Sequence, residues 1–364
     1  MKGDMKMIGL KKVDGGIVIK EFTIPVYGEY YVVVVGGGVA GVAAAMAAGK
    51  RGWKTLIIEA TSALGGLATM GLVNIPLDFV SGLGLEMFDE LEKINAIWHR
   101  NTDPEKHKLV LDRMVKNYNC HILLVTQVVD SIVEDNTMMG VVIQTKTGQK
   151  AVLAKRVIDC SGDSDAAYYA GAELMQGRPG DGMSQGCSLE FILGSVDWDK
   201  YLASDIKKND PKWIETIKKG LAQGDLPYEV DNHLNWITHL PGRPQRCGKD
   251  EVSICFAHSR NCYPNDNNDL TRMYIEGREQ VDFLTDFIRK YIPGFESCYL
   301  SYTGSLLGVR ESRRIVGEYT LTGSDIAHLQ KFDDVITISS HGYDIHNYDG
   351  PGNIKWAEME INGQ

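Results

Sequence analysis

The sequence predicts an α/β fold whose first domain has a central parallel sheet, because strand, turn and helix signals follow one another near residue 40. Residues 32–35 are four consecutive valines, which is too short and too branched for a helix but suits a strand buried on both faces. A glycine-rich turn follows, and residues 42–49 are rich in alanine and predicted to be helical. Residues 55–58 form a second short apolar strand. This order predicts a βαβ unit.

The turn between the first strand and the helix carries the spacing of a dinucleotide-binding site. Gly36, Gly38 and Gly41 supply the tight turn, the close approach to a pyrophosphate and the close packing of helix on strand. The N-terminal N–H groups of the helix can then hold the phosphates. Glu59 ends the second strand at the spacing of the carboxylate that binds the ribose hydroxyls, which disfavours NADP. The alternatives are a chance glycine turn, or a membrane span over the uncharged residues 30–49.

The rest of the chain is predicted to alternate between helices and strands. We expect helices at 85–96, 104–119, 165–172 and 270–291, and strands at 122–125, 128–133, 140–146, 150–153, 156–160 and 188–196. A glycine-rich stretch at 177–186 precedes a region that contains several tryptophans and prolines. The predicted division is an N-terminal extension at 1–27, the first part of the nucleotide-binding domain at 28–186, a substrate domain at 187–305, and a return to the first domain at 306–364.

Composition limits the classes of partner. The net charge is -10 and the pI is about 5.4, so a general affinity for nucleic acid or anionic membranes is not expected, and the predicted partner is a small molecule or another protein. The seven cysteines are widely spread and contain no C-x-x-C pair, which indicates reduced thiols in the cytoplasm. The histidines lack ligand spacing, so no metal site is predicted. Motifs typical of hydrolases and kinases are absent from the sequence.

Several segments together resemble the FAD-dependent oxidoreductases with a glutathione-reductase-like nucleotide fold, related to the fumarate reductase and tRNA-modification flavoproteins. The similar segments are 32–41, Glu59 with 65–69, 157–165, 181–185, 308–317 and 344–347. The resemblance implies a Rossmann-like FAD-binding domain with a central parallel sheet, an inserted α+β substrate domain, and FAD as the cofactor. A second glycine pair after Glu59 agrees with FAD, because it lets a loop lie against the pyrophosphate and the isoalloxazine.

The resemblance also implies which residues contact the cofactor. They are Gly36, Gly38, Val39, Ala40, Gly41, Glu59, Ala60, Gly65, Gly66, Leu67, Ala68, Thr69, Val129, Gly162 and Asp163. The alternatives are that Gly65 and Gly66 form an ordinary loop and that Asp163 caps the following helix. Members of the family resemble this chain but continue into a further strand and a glycine-arginine turn, so we expect a missing C-terminal segment or a partner chain to complete the flavin site.

Three residues of the later segments are the predicted catalytic groups. Arg310 and Arg313 lie in a glycine-bounded stretch, and an arginine suits a substrate carboxylate or a developing enolate. His346 suits acid or base chemistry near neutral pH. The alternatives are an interdomain ion-pair network for the two arginines, and a hydrogen-bonded loop for the histidine. His233, His239 and His258 are predicted to be structural or exposed, and Cys187 a buried small side chain.

These observations predict an enzyme that transfers a hydride between a small organic substrate and the flavin N5. A second hypothesis is a flavin-binding or scaffold subunit of a larger redox complex, which needs a partner chain to complete the cofactor site. A tRNA-modifying flavoprotein is a third and weaker option, because the sequence is acidic and has no basic stripe.

Overall fold

The structure is a computed structural model that describes residues 10–13, 16–19, 23–76, 82–98, 100–240, 250–335 and 345–352. Asp344 and Cys247 lie outside the described residues, as do parts of the predicted N-terminal extension and of the C-terminal return. The strands are β1 Leu10–Val13, β2 Gly16–Ile19, β3 Val26–Val35, β4 Thr55–Ile58, β5 Ile97–Trp98, β6 Asn101–Thr102, β7 His121–Leu123, β8 Gln127–Glu134, β9 Thr137–Thr145, β10 Gly148–Asp159, β11 Leu174–Gln176, β12 Cys187–Ser188, β13 Phe191–Val196, β14 Trp236–His239, β15 Asp250–Cys255, β16 His258–Ser259, β17 Tyr299–Thr303 and β18 Arg313–Ile315. The helices are α1 Val39–Lys50, α2 Leu83–Lys93, α3 Pro104–Asn117, α4 Asp165–Tyr169, α5 Trp198–Ala203, α6 Asp205–Asn209, α7 Ile214–Ala222, α8 Asn267–Tyr291 and α9 Gly323–Ala327, with a short 3₁₀ helix at Gly66–Ala68.

A six-stranded sheet in the order β7-β4-β3-β10-β9-β8 forms the first region. Strands β7, β4, β3 and β10 are parallel, whereas β9 and β8 join antiparallel, so the predicted α/β fold is confirmed with a sheet that is only partly parallel. The valines of β3 are buried on both faces: Val32 and Val34 pack with α1 and α3, and Val33 and Val35 belong to the opposite core. The uncharged stretch at 30–49 is therefore strand, turn and helix.

Strand β10 differs from the prediction of two separate strands at 150–153 and 156–160. It runs without a break from Gly148 to Asp159 because it changes its main partner along its length: its first half pairs antiparallel with β9, and residues 151–159 pair parallel with β3. Helix α4 ends at Tyr169 rather than at residue 172, and Gly171 follows with a φ of +79°. That backbone conformation is unsuited to a continuing helix.

The second region is built on an antiparallel sheet in the order β14-β15-β13-β17, covered by the long helix α8. The predicted strand at 188–196 is in fact two strands, because β12 pairs with β16 whereas β13 pairs with β15 and β17. Leu189 and Glu190 lie between them. The cores of the two regions are separate clusters, and we keep the boundaries at 186/187 and 305/306 as a proposed division.

The chain returns from the second region to the first along residues 308–315. Ser188 bridges Gly308, and β18 pairs antiparallel with β11. These contacts place the arginine-rich segment between the two regions. Among the described residues, no helix is both long and apolar enough to cross a membrane.

Candidate active site

The turn between β3 and α1 requires glycine at two positions for steric reasons. Gly36 has a φ of +96°, and a Cβ there would lie 2.3 Å from the carbonyl oxygen of Cys160. A Cβ on Gly41 would lie 1.9 Å from the carbonyl oxygen of Gly36. Both contacts are with backbone, which cannot easily move away. The fingerprint glycines therefore hold β3, α1 and the end of β10 close together.

The N-terminus of α1 opens onto free space. A Cβ on Gly38 would meet no atom within 4 Å, and the first turn of α1 has neither an acidic residue nor a side-chain cap. Val39 and Ala40 are exposed there. Because the first N–H groups of a helix attract anions, this end of α1 fits a pyrophosphate.

The second glycine pair lies directly against this turn. Gly65 bridges Gly38, and its N–H donates a 2.8 Å hydrogen bond to the carbonyl of Gly37. Gly65 and Gly66 have φ values of +102° and +52°, and the 3₁₀ helix that contains Leu67 and Ala68 follows. The hydroxyl of Thr69 donates to the carbonyl of Leu64 and so fixes the end of the loop. The two loops thus form one continuous backbone surface.

Glu59 lies at the end of β4 with its side chain turned toward the same turn. Its carboxylate accepts hydrogen bonds from the backbone N–H of Gly37 at 2.6 Å and of Thr61 at 2.7 Å. The residue is buried, and the neighbouring Ala60 is exposed. A carboxylate has about four acceptor positions, so Glu59 keeps acceptor capacity for ribose hydroxyls.

The remaining predicted cofactor contacts lie in one further loop and on one edge strand of the first region. Gly162 and Asp163 are in the loop after β10, and Val129 is on β8. Gly162 has a φ of +87° and open space around its Cα, and the Asp163 carboxylate accepts a 2.6 Å hydrogen bond from the Ser312 hydroxyl. Val129 lies on the edge strand β8 where the register with β9 shifts, so it is a bulge residue. The turn, the free helix end and Glu59 together fit an adenine dinucleotide.

A cavity of about 600 Å³ opens between the second glycine loop and the second region. The loop side contributes Leu67 and Val73, and the returning segment contributes Arg310. The remaining lining residues are Gln185, Ser188, Glu190, Lys212, His233, Asn235, Trp236, Cys255, Gly308, Val309 and His346. Its volume suits a small organic molecule.

Glu190 is the carboxylic acid in the described lining of this cavity, and its pKa is strongly raised. It lies in the break between β12 and β13, where its side chain is buried. Burial raises its pKa to about 8, against smaller lowering effects from Cys255 and Arg310. Its Oε2 has no hydrogen-bond partner among the described residues. Glu190 is therefore largely protonated at neutral pH, which could not be predicted from its local sequence because the cause is burial in the folded protein.

Arg310 and His346 meet at one end of the cavity around His258. Arg310 donates to the carbonyl of Gly186, and its Nη2 lies 3.4 Å from His258 Nε2. The imidazole rings of His258 and His346 have centroids 5.4 Å apart. Burial, followed by the charge of Arg310, lowers the pKa of His346 to about 3, and burial also lowers the pKa of His258. Both rings are therefore neutral at pH 7.

Arg313 has a different environment from Arg310. Its guanidinium pairs with Asp165, donates from Nε to the carbonyl of Asp163 at 2.8 Å and lies 4.4 Å from the ring of Tyr168. It does not belong to the described lining of the cavity. These contacts favour the ion-pair alternative for Arg313, although with Asp165 as its partner.

A family model described as "FAD dependent oxidoreductase" matches residues 31–361, which is most of the chain. The chain belongs to this family. Its cofactor is FAD, and it is an FAD-dependent oxidoreductase enzyme, as the sequence predicted. The turn around Gly36, the carboxylate of Glu59 and the second glycine loop are the parts of this flavoenzyme that would hold the adenosine and pyrophosphate portions.

Two curated relatives of this flavoenzyme carry the name tRNA uridine 5-carboxymethylaminomethyl modification enzyme MnmG. The relative from Aquifex aeolicus is 26% identical over 221 residues, covering 55% of this chain and 35% of the relative. The one from Alkaliphilus oremlandii is 34% identical over 143 residues, covering 33% of this chain and 22% of the relative. The chain thus aligns with about a third or less of the length of these relatives. The expected exclusion of nucleic acid is therefore not supported.

Solved structures of other proteins are similar at lower identity. The p-nitrophenol 4-monooxygenase PnpA from Pseudomonas putida is 14% identical with a TM-score of 0.45, over 79% of this chain and 70% of that chain. The L-proline dehydrogenase from P. horikoshii is 14% identical with a TM-score of 0.42, over 77% of this chain and 81% of that chain.

The flavoenzyme brings some predicted site residues together and adds others. Arg310 and His346 line one cavity, Arg313 is absent from its described lining, and Cys187 is buried. His233 lines the same cavity, whereas His239 contacts Asp250 outside its described lining. The residues that sequence reasoning missed are Glu190, Asp231, Asn235 and the buried His258. They come from separate segments with no shared motif, so only the fold identifies them.

Proposed function

We propose that this flavoenzyme transfers a hydride between a small organic substrate and the flavin N5, with the substrate bound in the 600 Å³ cavity. The observation that carries the proposal is the composition of the cavity wall. Leu67 belongs to the glycine loop assigned to the cofactor, and Arg310 with Glu190 faces the same space from the other side. Bound FAD supplies the redox chemistry at N5, so the chain itself has to bind, orient and exchange a proton with the substrate.

The charges of the cavity favour an anionic substrate. Arg310 and Lys212 both line it, and Glu190 is largely neutral at pH 7 because burial raises its pKa to about 8. The cavity therefore presents a positive balance to its contents. An arginine binds a carboxylate with two parallel hydrogen bonds, which also orients it. We assign Arg310 to a carboxylate, or to an oxygen that gains negative charge during the reaction.

Glu190 suits the proton exchange with the substrate better than His346 does. With a pKa of about 8, Glu190 holds a proton at pH 7 that it can give up, whereas His346, whose pKa is lowered to about 3, stays neutral and is too weak a base to take one. We assign Glu190 to donate a proton when the substrate is reduced and, as the carboxylate, to take it back in the reverse direction, and His346 to hydrogen-bond the substrate as a neutral ring.

The test is anaerobic reduction of the FAD-bound chain by a panel of hydroxy and amino carboxylic acids, followed by the visible flavin absorption. Arg310→Gln should slow reduction about 10–100-fold, because a charge-assisted hydrogen bond is worth about 1.5–3 kcal/mol, while the bound flavin is retained. The matched control is Arg278→Gln, which changes an exposed arginine of α8 and should leave the rate unchanged. Equal rates in the Arg310→Gln variant would contradict the assignment.

The same preparation distinguishes the scaffold hypothesis. A chain that binds flavin by itself and is reduced by a small acid is a self-sufficient enzyme. A colourless chain that acquires flavin only with a second polypeptide would support the scaffold subunit and the predicted partner chain. Incubation of the reduced enzyme with tRNA tests the third option, a tRNA-modifying flavoprotein, because only that option predicts a chemical change in the tRNA.

We also keep the cytoplasm as the proposed compartment. The six cysteines in the described part of the chain are unbonded, and five of them are buried. Reduced thiols are typical of cytosolic proteins.

A further inference from the structure

Three buried side chains from distant parts of the sequence meet beside the cavity. Asp231 follows α7, His258 lies in β16, and His346 belongs to the described segment 345–352. One potential ligand atom of each residue lies within 4.8 Å of the other two, and all three residues are more than nine-tenths buried. No other group of this kind occurs among the described residues.

The carboxylate of Asp231 is oriented by the backbone. Its Oδ1 accepts hydrogen bonds from the N–H groups of Asn232 and Gly352, both at 2.7 Å. Although burial opposes ionisation, the interaction with His258 and these two donors lowers the pKa of Asp231 to about 2. The charged Oδ2 is left facing the ring of His258.

The contact between Asp231 and His258 has the spacing of two ligands of one cation. Nδ1 of His258 lies 3.1 Å from Oδ2, yet the pair does not have hydrogen-bond geometry. Two donor atoms that each bind a metal at about 2.0–2.2 Å lie about 3 Å apart when they are neighbours in its coordination shell. The distance therefore fits two atoms that point toward a common third position.

There is room for a single ion next to these atoms. A second cavity of about 10 Å³ is lined by Asp231, His258 and His346, together with Gly186 and Gly352. That volume holds about one water-sized sphere. The space is thus too small for an organic molecule and suits a lone ion or water.

We propose that Asp231, His258 and His346 bind one divalent transition-metal ion. Two imidazoles and one carboxylate favour Zn²⁺, Co²⁺, Fe²⁺ or Mn²⁺ over Mg²⁺ and Ca²⁺, which prefer oxygen ligands. Three protein ligands leave further positions for water or for an oxygen of a molecule in the large cavity, which His346 also lines.

Of the groups around the three residues, one favours the binding of such an ion and two oppose it. The side-chain Nδ2 of Asn235 lies 3.0 Å from His258 Nε2. With the amide flipped, its Oδ1, which has no hydrogen-bond partner, would accept the N–H of the ring and orient the ring toward the ion. Arg310 lies 3.4 Å from the same Nε2, and Arg260 lines the small cavity. These two positive charges oppose a cation, so we expect weaker binding than at structural zinc sites.

The test measures metal bound by the FAD-loaded chain after treatment with a chelator and dialysis against Zn²⁺ or Co²⁺. We expect about one ion per chain by elemental analysis. For Co²⁺ we also expect ligand-field absorption bands in the visible spectrum after the spectrum of the Zn²⁺ form is subtracted. Asp231→Asn and His346→Gln should each weaken binding at least tenfold, in line with the loss of one ligand. The matched control is His239→Gln, because His239 lies 3.0 Å from Asp250 but belongs to no three-residue group among the described residues.

The outcomes separate this proposal from hydride transfer. A chain that retains no metal, or variants that bind Zn²⁺ as tightly as the unchanged protein, would overturn the metal site without bearing on the hydride-transfer proposal. If Asp231→Asn does not fold, His346→Gln decides, with circular dichroism and flavin content as the checks on folding. Loss of metal in His346→Gln with retention in His239→Gln supports the site.

Discussion

The backbone N–H of Gly37 donates a 2.6 Å hydrogen bond to Oε2 of Glu59. This bond connects the glycine turn after β3 to the end of β4, which are separate elements of the sheet. It fixes the carboxylate beside the N-terminus of α1. The groups that would hold the two ends of the adenosine diphosphate are therefore positioned relative to each other before the cofactor binds.

Glu59→Gln should weaken FAD binding about 10–100-fold, because the charge that strengthens hydrogen bonds from ribose hydroxyls is lost. Flavin fluorescence during titration of the apoprotein measures the change. Glu134→Gln, at the exposed end of β8, is the control and should bind FAD normally. Unchanged affinity in the Glu59→Gln variant would remove Glu59 from the cofactor site.

Gly38→Ala and Gly41→Ala should have different effects. A Cβ on Gly38 meets no protein atom within 4 Å, so that variant should keep its free energy of unfolding but lose FAD affinity, since we assign that space to the pyrophosphate. A Cβ on Gly41 would lie 1.9 Å from the Gly36 carbonyl, so that variant should also lose about 1–3 kcal/mol of stability. Denaturant unfolding of both apoproteins, with FAD titration, tests this. A Gly38→Ala chain with normal FAD affinity would contradict the assignment.

Glu190→Gln should stabilise the protein increasingly as the pH rises. The pKa of Glu190 is raised from 4.5 to about 8, so between these values the folded state holds a proton that the unfolded state has lost. Stability of the unchanged protein then falls by about 1.4 kcal/mol per pH unit from this group, an effect that the amide removes. Thermal unfolding from pH 5 to pH 9 should show the difference growing up to about pH 8 and then levelling off. The exposed Glu29→Gln should show no such trend.

Arg313→Gln should destabilise the fold by about 1–3 kcal/mol rather than slow the reaction. Its guanidinium pairs with Asp165, whose pKa is already raised by burial and by Asp163, and it donates to the Asp163 carbonyl. Chemical denaturation and the rate of flavin reduction together decide between the two roles. Slower reduction at unchanged stability would instead place Arg313 in the catalytic site.

Local signals in the sequence were sufficient to predict the βαβ unit that carries the proposed cofactor site. The valines of β3, the glycines from Gly36 to Gly41 and the carboxylate of Glu59 lie within about thirty residues, and their spacing is set by the βαβ unit itself. The bounds of β4 were predicted to the residue, and those of α3 to within two. The continuous strand β10 was missed because its two halves differ in pairing, which is a property of neighbouring strands.

The substrate side could be predicted only in part. Arg310 and His346 could be named as candidates because they lie in segments that resemble the family, and their catalytic role stays a prediction. Glu190 and His258 carry no such pattern, and their pKa values are set by burial and by neighbours that are distant in sequence. The break between β12 and β13 that contains Glu190 depends on which strands pair there. Such contacts arise from the tertiary fold.

The hydrogen bond from the Gly352 N–H to Asp231 attaches the described segment 345–352 to the second region. Proteolytic cleavage or truncation before this glycine would leave a charged carboxylate in the interior with one backbone donor fewer. The expected result is an insoluble or aggregating product instead of a trimmed but active enzyme, because an under-solvated buried charge costs several kcal/mol.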